Sequence, residues 1–146
     1  MKKLACLAVL ILFSFSAFAQ RGLNCNAVFR GKVVPSNRMI ETEVRGESMS
    51  TYMLSYFHSI KVQVDEVTAT KIVGIIELDV DNAVSAETEY DGDRLIYAMV
   101  ELQPFRRVNR YLCYQLKQTA GAEAITIIYL EGSASLNELH HMFEKR

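Results

Sequence analysis

His140 and His141 form the most conspicuous chemistry-bearing pair in this 146-residue chain, with Glu138 three positions before the second and Glu144 four after the first. Imidazole and carboxylate groups in such proximity suggest a metal centre. Adjacent residues on a helix point about 100° apart, however, so the two rings do not easily bind one ion together. The zincin spacing, histidines four apart with glutamate after the first, is missing. The pair reads instead as a solvated helix end, where histidine favours the negative pole of the dipole. His58 sits on the apolar parity of an alternating stretch and reads as a hydrogen-bonded histidine at the core or its rim. Arg106, Arg107 and Arg110 crowd one loop, and guanidinium groups so placed suit a carboxylate or phosphate. The plainer alternative is three solvated side chains.

The carboxylate pairs Asp79/Asp81 and Asp91/Asp93 have the spacing of turn residues. No nucleophile elbow, phosphate loop, dinucleotide fingerprint or calcium loop is present. The sequence therefore nominates no catalytic residue, no cofactor and no metal ligand, and an enzyme ranks behind a binding protein.

The opening of the chain has the pattern of a bacterial signal peptide. Lys2 and Lys3 precede an apolar run from Leu4 to Phe13, and Ala17-Phe18-Ala19 supplies a small-x-small cleavage site. The run is shorter than the roughly 20 residues that span a bilayer, so cleavage after residue 19 is expected and no transmembrane anchor in the mature chain. Cys6 does not follow the apolar run, as a lipidated cysteine must, and Asn24 precedes Cys25, so neither cysteine has the context for lipidation. A soluble domain over 20–146, periplasmic or secreted, is the expectation. The formal net charge is −1, and losing Lys2 and Lys3 makes the remainder more acidic. That balance argues against nucleic acid, which calls for a basic stripe.

Cys25 and Cys113 remain in a compartment that permits disulfides. Their separation of 88 positions excludes zinc-ribbon and CxxC spacing. A bridge closing so long a loop would contribute up to about 4–5 kcal/mol. Two unconnected buried thiols are the alternative.

The elements around these residues follow from periodicity. Ala27-Val28-Phe29 suggests a short helical turn before Gly31. Ile40, Thr42 and Val44 alternate with Glu41, Glu43 and Arg45 as a charged edge strand. Tyr56, His58, Ile60, Val62 and Val64 share one face of a longer strand. Ala69, Ile72, Val73, Ile76 and Val80 then follow helical spacing within Asp65 to Val80. Strands are expected at Ala86 to Tyr90, Leu95 to Leu102, Tyr111 to Lys117 and Ala124 to Glu131, with Asp91-Gly92 as a hairpin turn and 103–110 as a loop. Ser135-Leu136-Asn137-Glu138 is a capping box, opening a helix striped by Leu136, Leu139 and Phe143. The expected fold is α+β, a mainly antiparallel sheet of about four to five strands with two helices packed on one face.

One parity of the central strands supplies Ile96, Ala98, Val100, Leu102, Leu112, Tyr114, Leu116, Ile128 and Leu130 as the core. The other carries Tyr97, Met99, Tyr111, Cys113, Ile125, Ile127 and Tyr129, where a wet sheet face would carry polar residues. A surface of that kind is either an interface with an envelope protein or a second copy, or it is covered by residues 21–55, which a Cys25–Cys113 bond would staple down. The expected function is a non-enzymatic protein-interaction domain, with Tyr97, Met99, Tyr111, Ile127 and Tyr129 as its face. The alternative is a small-ligand or anion binder using the Arg106–Arg110 loop.

Certain pieces of the chain add a resemblance. Phe29-Arg30-Gly31-Lys32, Met39-Ile40-Glu41-Thr42 with Val44 and Gly46, the strand from Leu54 to Ile60, Asn109-Arg110-Tyr111-Leu112, Tyr129-Leu130-Glu131-Gly132 and the capped Leu136 to Leu139 helix are together similar to a family of small, signal-peptide-bearing proteins of unknown function from Bacteroides-like bacteria. The resemblance runs over roughly residues 24–143. It implies an exported envelope protein and carries no catalytic residue with it.

Overall fold

Alternating residues through the middle of the chain produce long strands, and the computed structural model, which describes residues 22–119 and 121–144, joins six of them into one antiparallel sheet. In chain order the elements are α1 (Asn26–Phe29), β1 (Ile40–Arg45), β2 (Leu54–Val64), α2 (Glu66–Asp81), β3 (Ser85–Asp91), β4 (Arg94–Phe105), β5 (Val108–Thr119), β6 (Ala122–Gly132) and α3 (Leu136–Glu144). The strand order across the sheet is β1-β2-β6-β5-β4-β3. After β2 the chain crosses through α2 to the far edge, then returns strand by strand until β6 pairs with β2. The sheet is larger than the four to five strands expected, because the charged β1 and the wholly exposed β3 both join it as edges. The expected signal peptide at 1–19 lies outside the described residues, and among these no helix is long and apolar enough to cross a membrane.

Both longer helices start where their caps place them. Asp65 accepts the Thr68 N–H at 2.8 Å to open α2, and Ser135 Oγ accepts the Glu138 N–H at 3.2 Å to open α3. They do not share a face of the sheet. Ala69, Ile72, Val73 and Ile76 of α2 pack with Ile60, Val62, Val100, Leu112, Tyr114, Ile125, Ile127 and Tyr129, and the N-terminal segment adds Cys25, Val28, Phe29 and Val34 to this main core. Leu136, Leu139 and Met142 of α3 close a second, smaller core on the other face, with Leu54, Phe57, Tyr111, Cys113, Ile128 and Leu130.

The two-sided arrangement follows from one register. Thr119 pairs with Ala122 across a two-residue turn, so every odd residue of β5 faces an even residue of β6, as in Tyr111 with Leu130 and Leu112 with Tyr129. Strand neighbours share a face, and a one-residue offset moves a whole strand's side chains to the opposite side. Ile125, Ile127 and Tyr129 therefore join the α2 face, and Ile128 and Leu130 the α3 face, the reverse of the expected assignment. The β4–β5 connection is also shorter than the expected loop at 103–110. Phe105 pairs with Val108, so the strands run on to a two-residue turn of Arg106 and Arg107, both left-handed with φ of 51° and 65°.

Gly132 ends β6 where another backbone crosses it. A Cβ there would lie 2.7 Å from Leu54 Cα and in direct collision with the Met53 carbonyl oxygen. That carbonyl accepts the N–H groups of Ser133 and Ala134, both at 3.0 Å, and so fixes the path from the sheet into α3.

Candidate functional site

The β1–β2 register brings charge to the rim of the main core. Glu43 lies opposite His58, Arg45 opposite Tyr56 and Glu41 opposite Ile60, so the polar parity of the edge strand lies beside the inward parity of β2. His58 is buried, and its Nε2 is 2.7 Å from Glu41 Oε1. Its ring packs against Phe29 of α1, with centroids 4.6 Å apart. Glu43 Oε1 accepts the Tyr56 hydroxyl at 2.8 Å and Arg45 Nη2 at 3.2 Å. The Arg45 guanidinium also lies 4.3 Å from the Tyr56 ring centroid.

The network continues inward. Tyr129 meets Tyr56 edge-on at 5.9 Å, and its hydroxyl donates to Glu131 at 2.6 Å. Arg110, also buried, donates through Nε to the Gln103 carbonyl at 2.9 Å. Burial, and then the hydrogen bonds to Glu43 and Glu131, push the phenols of Tyr56 and Tyr129 far up. Burial also acts upward on Glu43, but bonding to Tyr56 and Arg45 outweighs it and holds this carboxylate below its usual range. The result is an ordered row of carboxylates, an imidazole, phenols and a guanidinium, half open to solvent.

The expected sites are distributed differently. Tyr97, Met99 and Tyr111 lie on the α3 face, where Tyr111 is buried and its hydroxyl donates to the Ala134 carbonyl at 2.7 Å. Ile127 and Tyr129 are buried on the opposite face. The five therefore form no single open surface, and of them only Tyr97 keeps appreciable exposure. Of the segment 21–55, Leu23 to Met39 cover a sheet face, the one carrying Ile127 and Tyr129, whereas β1 joins the sheet and Met49 and Leu54 pack on the α3 face.

Cys25 and Cys113 occupy opposite sides of the sheet and are both free thiols. Of the two readings, unconnected thiols hold and the bridge does not, because β5 turns Cys113 away from the N-terminal segment. Burial raises the Cys113 thiol to about 12, and burial followed by the nearby Asp79 carboxylate pushes Cys25 upward as well.

The arginine trio also separates. Arg106 and Arg107 are at the exposed tip of the β4–β5 turn, and Arg110 belongs to the buried network. Arg107 borders a shallow cleft of about 370 Å³ with Ser50, Met53, Leu54, Ser55 and Ser133. At the C-terminus His140 approaches Glu87 of β3 at 3.4 Å and His141 is exposed, so the adjacent rings serve different surroundings.

Two features escaped the sequence reading. Asp79, expected in a turn, is buried on α2 and accepts the N–H groups of Asn24 at 2.7 Å and Cys25 at 2.8 Å together with Asn24 Nδ2 at 3.0 Å. It lies on the apolar stripe of its helix, three residues after Ile76, and that position was the available signal. Glu41 and Glu43 were expected to be solvated charges of an edge strand. Pairing β1 with the strand of His58 would have placed them beside the imidazole.

A family described as a family of unknown function, DUF6108, matches residues 12–143. No curated protein and no solved structure matches the chain.

Proposed function

We propose that this chain, which belongs to the DUF6108 family, is a non-enzymatic, exported interaction domain that receives an extended segment of another envelope protein along β1. The observation that carries this reading is the edge itself. β1 is six residues long, is exposed through nearly its whole length, and pairs only with β2 among the described strands. An unpaired edge presents a row of backbone donors and acceptors, and strand addition uses them directly.

The side chains define the partner's chemistry. Ile40, which is 72% exposed, shares one side of β1 with Thr42 and Val44, and Glu41, Glu43 and Arg45 share the other. A complementary strand alternates apolar or β-branched residues with lysine or arginine opposite the two glutamates, since opposite charges across strands attract. The other edge, β3, is less receptive. Glu87, Glu89 and Asp91 give it one sign of charge, and such edges resist pairing.

A photo-crosslinking residue at position 42 tests the assignment, with the same residue at position 88 of β3 as the control. In the native envelope, position 42 is expected to yield one discrete heterologous adduct, lost when Glu41 and Glu43 are both replaced by lysine, and position 88 none. Adducts only with a second copy of the chain would overturn the reading in favour of self-association. Equal labelling from both edges would remove the basis for choosing β1.

A further inference from the structure

We infer that Glu41, Glu43 and His58 form a binding site for a divalent transition-metal ion of the zinc class. One ligand atom from each of the three lies within 4.8 Å of both others. Zinc binds imidazole nitrogen and carboxylate oxygen at about 2.0–2.2 Å, which sets ligand atoms around one ion roughly 3–3.5 Å apart. The His58–Glu41 pair is already closer than that, at 2.7 Å. The remaining adjustment falls to the two glutamates, whose side chains are 39% and 42% exposed, with Glu43 keeping its bonds from Tyr56 and Arg45 through Oε1. His58 is the fixed point, with its ring held against Phe29 at 4.6 Å.

The donor set selects the ion. One imidazole with two carboxylates suits zinc and its first-row neighbours, whereas calcium and magnesium prefer all-oxygen shells. Electrostatics favour a dication. Glu41 and Glu43 contribute two negative charges, against the single positive charge of Arg45. Tyr56 and Arg45 both bond Oε1 of Glu43, so they act as outer-shell groups that orient the carboxylate. Zinc would sit between His58 Nε2 and Glu41 in place of their direct contact, joining β1 to β2 through side chains as well as backbone. Zinc and the cationic side chains of a partner strand would compete for Glu41 and Glu43, but uptake of the ion by isolated protein and crosslinking at position 42 are separate readouts, so the two readings can fail separately.

The test is zinc titration of tag-free protein at pH 7.5 against a chromophoric chelator, with circular dichroism melts of every variant. Wild-type protein is expected to take up one zinc per chain, with an upward shift in melting temperature. Glu41→Gln, at an exposed position that leaves the core intact, is expected to weaken binding about tenfold or more, and His58→Gln at least as much. Replacing His140 and His141 together by glutamine should leave affinity unchanged. Cobalt added in place of zinc should give visible bands that disappear in Glu41→Gln. Failure of wild-type protein to take up stoichiometric zinc at submillimolar concentration would overturn the inference. So would undiminished binding by folded Glu41→Gln, or binding that follows His140 and His141.

Discussion

Asp79 shows how a single side chain positions the surroundings of the candidate site. Its carboxylate receives three N–H groups from Asn24 and Cys25, so it anchors the segment whose next turn presents Phe29 to His58. A buried carboxylate is tolerated when its lone pairs are filled this way. Replacing it leaves donors without an acceptor, each worth about 1–3 kcal/mol when buried. Asp79→Ala is therefore expected to destabilise the fold by about 2–4 kcal/mol in urea unfolding, with Asp79→Asn falling between it and wild type. Glu43 gives a second expectation. Its folded pKa lies below the ordinary 4.5, so its contribution is full above that value and is lost as pH falls through the folded pKa. Stability measured from pH 5 downward should fall less steeply in Glu43→Gln than in wild type. Identity alone made Asp79 look like a turn residue, because its partners lie more than fifty positions away. The histidines were legible in part: His58 was expected at the core or its rim and is buried there, whereas of the pair expected at a solvated helix end only His141 is exposed and His140 is half-buried beside Glu87. The two cysteines stayed open between a bridge and separate thiols, since bridging depends on which face each strand presents.

Turns decide that question, and at the scale of the element the outcome was partly readable. The Ser135 cap of α3, the N-terminus of α2 and the alternation of β2 are local signals and appear where expected, and the hairpin signalled by Asp91-Gly92 forms with its turn one residue further on, at Gly92-Asp93. The pairing of β5 with β6 is not local. Ending β5 at Lys117 and starting β6 at Ala124 hid the odd-to-even register that the Thr119–Ala122 pair sets, and the face assignment of β6 reversed with it. The Arg106–Arg107 turn was hidden for a related reason. Both residues have positive φ, the geometry of a type I′ hairpin turn, for which Asn-Gly is the favoured pair. Two arginines there carry a backbone cost that L side chains pay in the left-handed region. Arg106→Asn combined with Arg107→Gly should therefore stabilise the hairpin by about 1–2 kcal/mol. The opposing term is small, because Arg106 lies over Phe105 at 5.2 Å from an exposed position, where such contacts contribute about 0.5–1 kcal/mol. A thermal melt of the double variant decides the sign; a lower melting temperature would mean the arginines make contacts that outweigh the strain.

For the molecule as a whole, the central strands are covered on both faces by elements of the same chain, and the edge strands β1 and β3 stay exposed. The α+β class and the antiparallel sheet follow from element order, but the number of covered faces does not, because it depends on the sum of the registers. The apolar residues once expected to await a partner are divided between α2 with the N-terminal segment on one side and α3 on the other. This makes α3 a lid over Tyr111, Ile128 and Leu130, and its removal a direct test of the two-sided fold. A chain ending at Ala134 keeps all six strands and the acceptor of the Tyr111 hydroxyl, yet uncovers apolar surface on the order of a few hundred Å², enough to drive association. The truncated protein is expected to melt lower than the full chain and to self-associate in light scattering, with Leu130→Lys in the truncated background restoring the monomer. If the truncated chain stays monomeric with an unchanged melting temperature, the α3 face needs no cover and is the more plausible docking surface. If it associates, Tyr111 and its neighbours are core, and interaction is left to β1.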